Sequence, residues 1–215
     1  MRKPTYPHLL PNGAPVPYVA MWSPEVSAPC ELGETRTTTV HHPDGRQELI
    51  DVPLLVPADL RGQGHPVLGK MHEARQRQAV MEGRCQVCAG RLALLRWLIW
   101  MPEQRGDGPW NREPWTCAYC TALALASCPG LRHVREKLRS RGSDLFVLLV
   151  GESKIALTLH DMSDDTVTLG PSIIRPPYAW TYAIIQPSRV YLKLTPEQFL
   201  ESSPSRRARW ERGEK

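Results

Sequence analysis

The sequence predicts an α+β fold, with small antiparallel sheets around a treble-clef or zinc-ribbon-like module. Three observations lead there. Two Cys-x-x-Cys pairs, Cys85-Gln-Val-Cys88 and Cys117-Ala-Tyr-Cys120, stand at a separation suited to one shared ion. The second pair opens an Ala/Leu-rich helical stretch, whereas the first sits in a short turn closed by Ala89-Gly90. Short alternating or apolar runs, separated by Pro and Gly, then fill most of the chain on either side.

In chain order, Pro15 to Trp22 reads as a short strand with proline confined to its start. Thr37–Val40 and Gln47–Val52 read as a hairpin around His42-Pro-Asp-Gly45, and Leu54 to Gly64 as an ordered loop. Pro66 to Glu82 carries three- and four-residue spacing and reads as a helix stopped by Gly83. Leu92–Met101 reads as a strand entering a hairpin, with a buried helix as the alternative, and Pro102–Trp115 as a polar loop. Tyr119–Ser127 is a helix that Pro129-Gly130 should stop. Strands are expected at Leu145–Val150, Lys154–His160, Thr166–Leu169 and Arg189–Leu194. Thr195-Pro-Glu-Gln198 has the chemistry of a helix start, and the tail from Ser202 reads as mobile. The chain thus divides into a strand and loop region at 1–66, a zinc module at 67–142, a strand-rich region at 143–201 and a basic tail at 202–215.

Composition narrows the classes. With 41% hydrophobic and 23% charged residues the chain is globular rather than disordered. Its apolar runs fall well short of the roughly 20 residues a spanning helix needs. The N-terminus carries charge with no apolar core behind it, so a cytoplasmic protein is expected. The net charge of +5 is unevenly placed. Between Lys70 and Arg141 there are thirteen Lys/Arg against six Asp/Glu, a balance of +7, while the remainder has fourteen against sixteen, or −2.

Cys85, Cys88, Cys117 and Cys120 are the expected ligands of one structural Zn²⁺, each pair spanning one edge of a tetrahedron. Disulfides fit poorly, because with Cys128 the cluster holds five cysteines, an odd number, and no secretion signal precedes it. Cys128 reads as a small buried hydrophobe, and His133 as a solvated residue of a basic stretch. A different set, Cys88, Cys117, Cys120 and Cys128, resembles the layout of iron–sulfur WhiB-like regulators, but the last gap is longer and that family's glycine–tryptophan turn is missing. His41-His42 reads as exposed polar residues beside a turn.

Catalytic constellations are not legible. An HNH nuclease needs histidines between its cysteine pairs, and there is none from Glu73 to Arg132. A zinc deaminase needs His-x-Glu beside Pro-Cys-x-x-Cys, and neither element occurs. Two recognition surfaces suggest themselves instead. Arg132, Arg135, Lys137, Arg139 and Arg141, with Arg206, Arg207, Arg209 and Arg212 in the tail, could neutralise phosphates or simply form a solvated face. Of Trp97, Trp100, Trp110 and Trp115, the last two fall in the polar loop, where exposed aromatics would favour a protein partner.

The segments Pro17-Tyr-Val-Ala-Met-Trp-Ser23, Gly69-Lys-Met-His-Glu-Ala-Arg-Gln-Arg-Gln78, Cys85-Gln-Val-Cys-Ala-Gly90, Cys117-Ala-Tyr-Cys120 and Cys128-Pro-Gly-Leu-Arg132 resemble a group of small proteins of Streptomyces and its phages. In that setting the chain is similar in character to the recombination directionality factors that partner large serine integrases. The resemblance implies a non-enzymatic protein that binds its integrase on DNA and favours excision. A DNA-binding regulator using the basic run, and an enzyme of unrecognised class, remain the alternatives.

Overall fold

The computed structural model describes residues 4–41, 46–100, 114–151, 153–161, 167–169, 172–174 and 179–213. Its elements, in order, are β1 (Ala20–Trp22), α1 (Ser23–Ser27), β2 (Glu31–His41), β3 (Gln47–Val56), β4 (Pro66–Met71), α2 (Glu73–Met81), β5 (Arg96–Trp100), α3 (Ala118–Ser127) and α4 (Pro129–Arg139). There follow β6 (Phe146–Val150), β7 (Ser153–Asp161), β8 (Val167–Leu169), β9 (Ser172–Ile174), β10 (Ala179–Pro187), β11 (Val190–Leu194), α5 (Pro196–Glu201) and α6 (Pro204–Glu211). The class is α+β, with small and mainly antiparallel sheets.

At the centre stands a three-stranded sheet in the order β11-β6-β5. The run Phe-Val-Leu-Leu-Val of β6 is apolar throughout because the strand is covered on both faces. Alternation sends Val147 and Leu149 to one side, where they meet Leu95, Trp97, Ala118 and Phe199. Leu148 and Val150 go to the other, against Val80, Leu98, Trp115 and Ile185. Helices α3, α5 and α6 roof the first face, and α2 and β10 supply cover on the second. A four-stranded sheet, β2-β3-β10-β7, carries the long β2–β3 hairpin and one parallel contact, Ala179 beside Leu54. β10 runs antiparallel to β7 from Ala179 opposite Asp161 to Pro187 opposite Ser153.

Several expectations need correction. The first part of Pro66–Glu82 is strand, not helix: β4 pairs with β1, Trp22 lying opposite Pro66. Gly69 there has φ +91°, which no right-handed helix can contain. The helix starts only after His72, whose side chain accepts from the Arg75 amide at its N-terminus. The helix expected at Tyr119–Ser127 is present as α3 and ends at Ser127, but a second, unforeseen helix follows at once. Cys128 closes α3 and caps α4, with Pro129 in the first turn where its missing N–H costs nothing.

The tail from Ser202 is ordered as α6, with Ser203 accepting from the Arg206 amide and Pro204 beginning the first turn. Trp210 stacks near Trp97, ring centroids 6.2 Å apart. β5 of segment 67–142 lies beside β6 of segment 143–201, and α6 packs on the same core. The N-cap expected at Thr195 is present, with Thr195 and Gln198 bonding each other's backbone.

Candidate metal centre

The first cysteine pair sits in a knuckle that its backbone closes unaided. Arg84 and Arg91 bridge as antiparallel partners, and Leu92 N–H donates to Gly83 O at 2.9 Å. Inside that bridge Cys85 N–H donates to Gly90 O and Ala89 N–H to Cys85 O, at 2.9 and 2.8 Å. The turn forces Ala89 to φ 57°, a left-handed conformation costing roughly 1–2 kcal/mol for a residue with a Cβ. Such a cost persists where the surroundings fix the geometry.

The second pair is held by β5 and the start of α3. Thr116 and Trp97 exchange backbone bonds of 2.9 and 3.2 Å, and Gln86 N–H donates to Trp115 O at 2.9 Å. The strip Trp115–Cys117 is therefore zipped to β5 on one edge and to the first knuckle on the other. Cys117 is the N-cap residue of α3, and Cys120 falls in its first turn. The partial positive charge of a helix N-terminus favours thiolate there. Ala118 N–H, one of that turn's unpaired donors, is satisfied by Glu211 Oε1 of α6 at 2.8 Å.

These two frames bring the sulfurs of Cys85, Cys88, Cys117 and Cys120 within 4.8 Å of one another. A tetrahedral ion with bonds of about 2.3 Å needs sulfurs about 3.8 Å apart, so the set fits a metal ion with small adjustments. None of the six cysteines is in a disulfide. Cys85 and Cys120 are fully buried, while Cys88 and Cys117 are partly so.

The thiols polarise one another. Hydrogen bonds from Cys117 and then Cys120 hold Cys88 far below the ordinary thiol range and lower Cys85 as well. Cys120 is driven far up, first by its hydrogen bond with Cys117. A divalent cation would resolve that competition by holding all four as thiolates. Among the described residues, further donors face the sulfurs: Gly90 N–H bonds Cys88, Cys117 N–H lies 3.5 Å from Cys85 Sγ, and Tyr6 Oη lies 3.3 Å from Cys120 Sγ. Burial first, and then that contact with Cys120, push the Tyr6 hydroxyl far up, so it remains a donor.

The structure separates the other candidates. Cys128 and His133 lie outside the four-sulfur cluster, which includes Cys85; the alternative set built on Cys128 is thereby corrected. Trp115 lies in the core and not in an exposed loop. It is 1% exposed and packs with Val80, Leu98 and Val150, under the Arg96 guanidinium. Trp110 and His42 lie outside the described residues. On α4, Arg135 and Arg139 are engaged: both reach Asp144 and Glu197. Asp144 is lowered to about 2 by those arginines, against the opposing effect of burial, and Glu197 to about 2 by Arg135 first. Arg132 and Lys137 are exposed on the same helix, and Arg141 is exposed just beyond its end. In α6, Arg207 is buried over the Phe199 ring, at 4.8 Å, and Arg206 lies over Trp210.

A second polar cluster, Glu25, Asp59 and His72, has ligand-like proximity. Its centre belongs to Arg75, whose Nη2 donates to Glu25 Oε2 at 2.6 Å and Ala20 O at 2.9 Å and whose Nη1 donates to Asp59 at 3.1 Å. Glu25 also accepts from the Trp22 and Leu60 amides. His72, its pKa lowered by burial and then by Arg75, accepts from Arg75 N–H at Nδ1 and donates to Ala58 O from Nε2. The cluster is an ion-paired clasp of the N-terminal third. Residues this far apart in sequence leave no local pattern, so it was not foreseen.

Compared with known protein families, curated proteins and solved structures, the chain matches none. Among the described residues no helix is long and apolar enough to cross a membrane.

Proposed function

We propose that Cys85, Cys88, Cys117 and Cys120 hold one structural Zn²⁺ in a treble-clef-like module, and that the protein is a non-enzymatic docking platform for a DNA-bound protein. In its specific form it is a recombination directionality factor that turns a large serine integrase toward excision. The observation that carries this reading is the closed donor set: four thiols from two knuckles, two of them fully buried, supply every position of a tetrahedral ion. Closed four-cysteine sites are structural, whereas catalytic zinc keeps a position for water or substrate. The ion would contribute a rigid cross-link and no redox chemistry. Zinc is favoured because tetrahedral thiolate sets of Cys-x-x-Cys spacing suit it.

Protein docking is favoured over direct DNA binding by the engagement of Arg135 and Arg139 with two carboxylates, which removes two of the five cations of the basic run. The integrase as partner rests on the sequence resemblance. Adding the purified protein to a cognate serine integrase should suppress attP×attB recombination and permit attL×attR. Unchanged direction with the integrase encoded beside it rules out the directionality role. DNA affinity without any partner, steeply dependent on salt, would favour the regulator reading instead.

A further inference from the structure

Tyr6 reaches the metal centre from a segment remote in sequence from every ligand, and the fold fixes it there. Residues 8–16 form a small closed turn: Leu9 bridges Pro15, Leu10 N–H donates to Ala14 O at 2.7 Å and Val16 N–H to His8 O at 3.0 Å. Gly13, at φ 79°, supplies the left-handed step that reverses the chain. Beyond the turn, Tyr18 N–H donates to Val87 O and Val19 N–H to Gln86 O, at 3.0 and 3.2 Å, so the segment is strapped to the first knuckle. His8 packs edge-on against Trp22, ring centroids 4.9 Å apart, and so anchors the returning arm. Tyr6 thereby arrives over the second pair, its hydroxyl 3.3 Å from Cys120 Sγ.

A metal-bound thiolate has no proton to give, so in the loaded site that contact runs from the Tyr6 hydroxyl to sulfur. Among the described residues Tyr6 offers the one side-chain hydroxyl within bonding distance of a cluster sulfur. Cys85, by contrast, is faced by a backbone N–H, that of Cys117. Four thiolates around a divalent ion carry a net charge of −2, and each donor draws part of it off the sulfurs. A sulfur relieved of charge is a weaker nucleophile, and the ion it binds is held by a better-oriented ligand.

Resting on the zinc reading above, we infer that Tyr6 is an outer-sphere partner of the metal centre. Its O–H···S bond to Cys120 sets how tightly the ion is held and shields that sulfur from electrophiles. The N-terminal strap is then part of the centre, although it contributes no ligand.

The test compares Tyr6→Phe with Tyr18→Phe in the full chain. Tyr18 lies in the same strap, but its hydroxyl donates to Gln78 and not to a sulfur. Metal content is read by native mass spectrometry, zinc affinity by competition with a chromogenic chelator, and sulfur-to-metal charge transfer after Co²⁺ substitution. Tyr6→Phe should still load one ion, with affinity lower by about 10-fold or more, the usual size of an outer-shell loss. Its charge-transfer band should move to lower energy, because the unrelieved thiolate donates more readily. Tyr18→Phe should match the wild type in both. Equal affinity and equal band energy in Tyr6→Phe and wild type overturn the inference, as does an equal loss in both variants. A wild-type protein without metal takes down the metal centre itself, and this inference with it.

Discussion

Truncating Trp115 separates a docking role from a core role more cleanly than any other substitution in this chain. The indole is 1% exposed, seated among Val80, Leu98, Leu148, Val150 and Ile185. An aromatic of this kind buries about 150–250 Å², worth roughly 4–6 kcal/mol at about 25 cal/mol per Å². Two secondary effects oppose each other. The native Nε1–H is buried without a partner, so removing it recovers about 1–3 kcal/mol of desolvation cost. The Arg96 guanidinium, 5.4 Å above the ring, loses a stacking surface worth about 0.5–2 kcal/mol. Trp115→Ala should therefore destabilise by about 3–5 kcal/mol, the range of large aromatic truncations in cores. Urea unfolding of the metal-loaded protein, followed by far-ultraviolet circular dichroism, measures it as a lower midpoint at similar slope. A variant as stable as the wild type, but deficient in partner binding, would refute the packing argument and restore Trp115 as a contact residue.

Other outcomes follow from the same geometry. Ser at Cys85, Cys88, Cys117 or Cys120 should abolish stoichiometric metal binding, whereas Cys128→Ser should retain one ion by native mass spectrometry. The Asp144–Glu197 carboxylates, both lowered to about 2 by Arg135 and Arg139, contribute stability that is present above their unfolded pKa values of 3.8 and 4.5. That stability is lost as pH falls through about 2, and Asp144→Asn should flatten the acid limb of a thermal-stability profile. Partial exposure limits the effect to about 1 kcal/mol. Removing residues 204–215 uncovers the Trp97–Phe199 pair, stacked edge-on at 4.8 Å, and should lower the unfolding midpoint markedly. A mobile tail would leave that midpoint unchanged.

What the sequence revealed was local. The cysteine knuckles, the β2–β3 hairpin and the start of α5 each rest on a few adjacent residues whose chemistry suffices: paired thiols, a Pro-Asp-Gly turn, a Thr-Pro cap. The residues misplaced are those whose position is decided by distant neighbours. Leu68 and Met71 match a helical spacing, and pairing with β1 overrides it. Trp115 stands among polar residues in sequence, yet Trp97 and Gln86 take up the backbone around it and draw it inward. α6 reads as a soluble tail because its buried face is built from Arg207, Trp210 and Glu211, where long side chains cover apolar surface with their stems. β10 has no counterpart among the strands the sequence predicts, and its place between β3 and β7 is set by long-range pairing.

Both ends of the chain converge on the first turn of α3: Tyr6 contacts Cys120, and Glu211 caps Ala118. Each contact is a single hydrogen bond, worth about 1 kcal/mol net, and somewhat more where a charge is involved. A structural zinc ion in such a module contributes about 10–16 kcal/mol of apparent binding free energy. The hierarchy is therefore fixed by magnitude. Under the zinc proposal the ion would hold the turn that receives Tyr6 and Glu211, whereas those two contacts could not hold four mutually repelling thiolates together without it. On that proposal a partner that grips this unit would depend on the metal even if it never approached the cysteines. Chelation should abolish partner binding and add a loss of protection at Ala118 and Gln86 in hydrogen exchange, and readdition of Zn²⁺ should restore both. Binding that persists in fully stripped protein would mean that the docking surface folds independently of the metal centre, and the platform reading would fail.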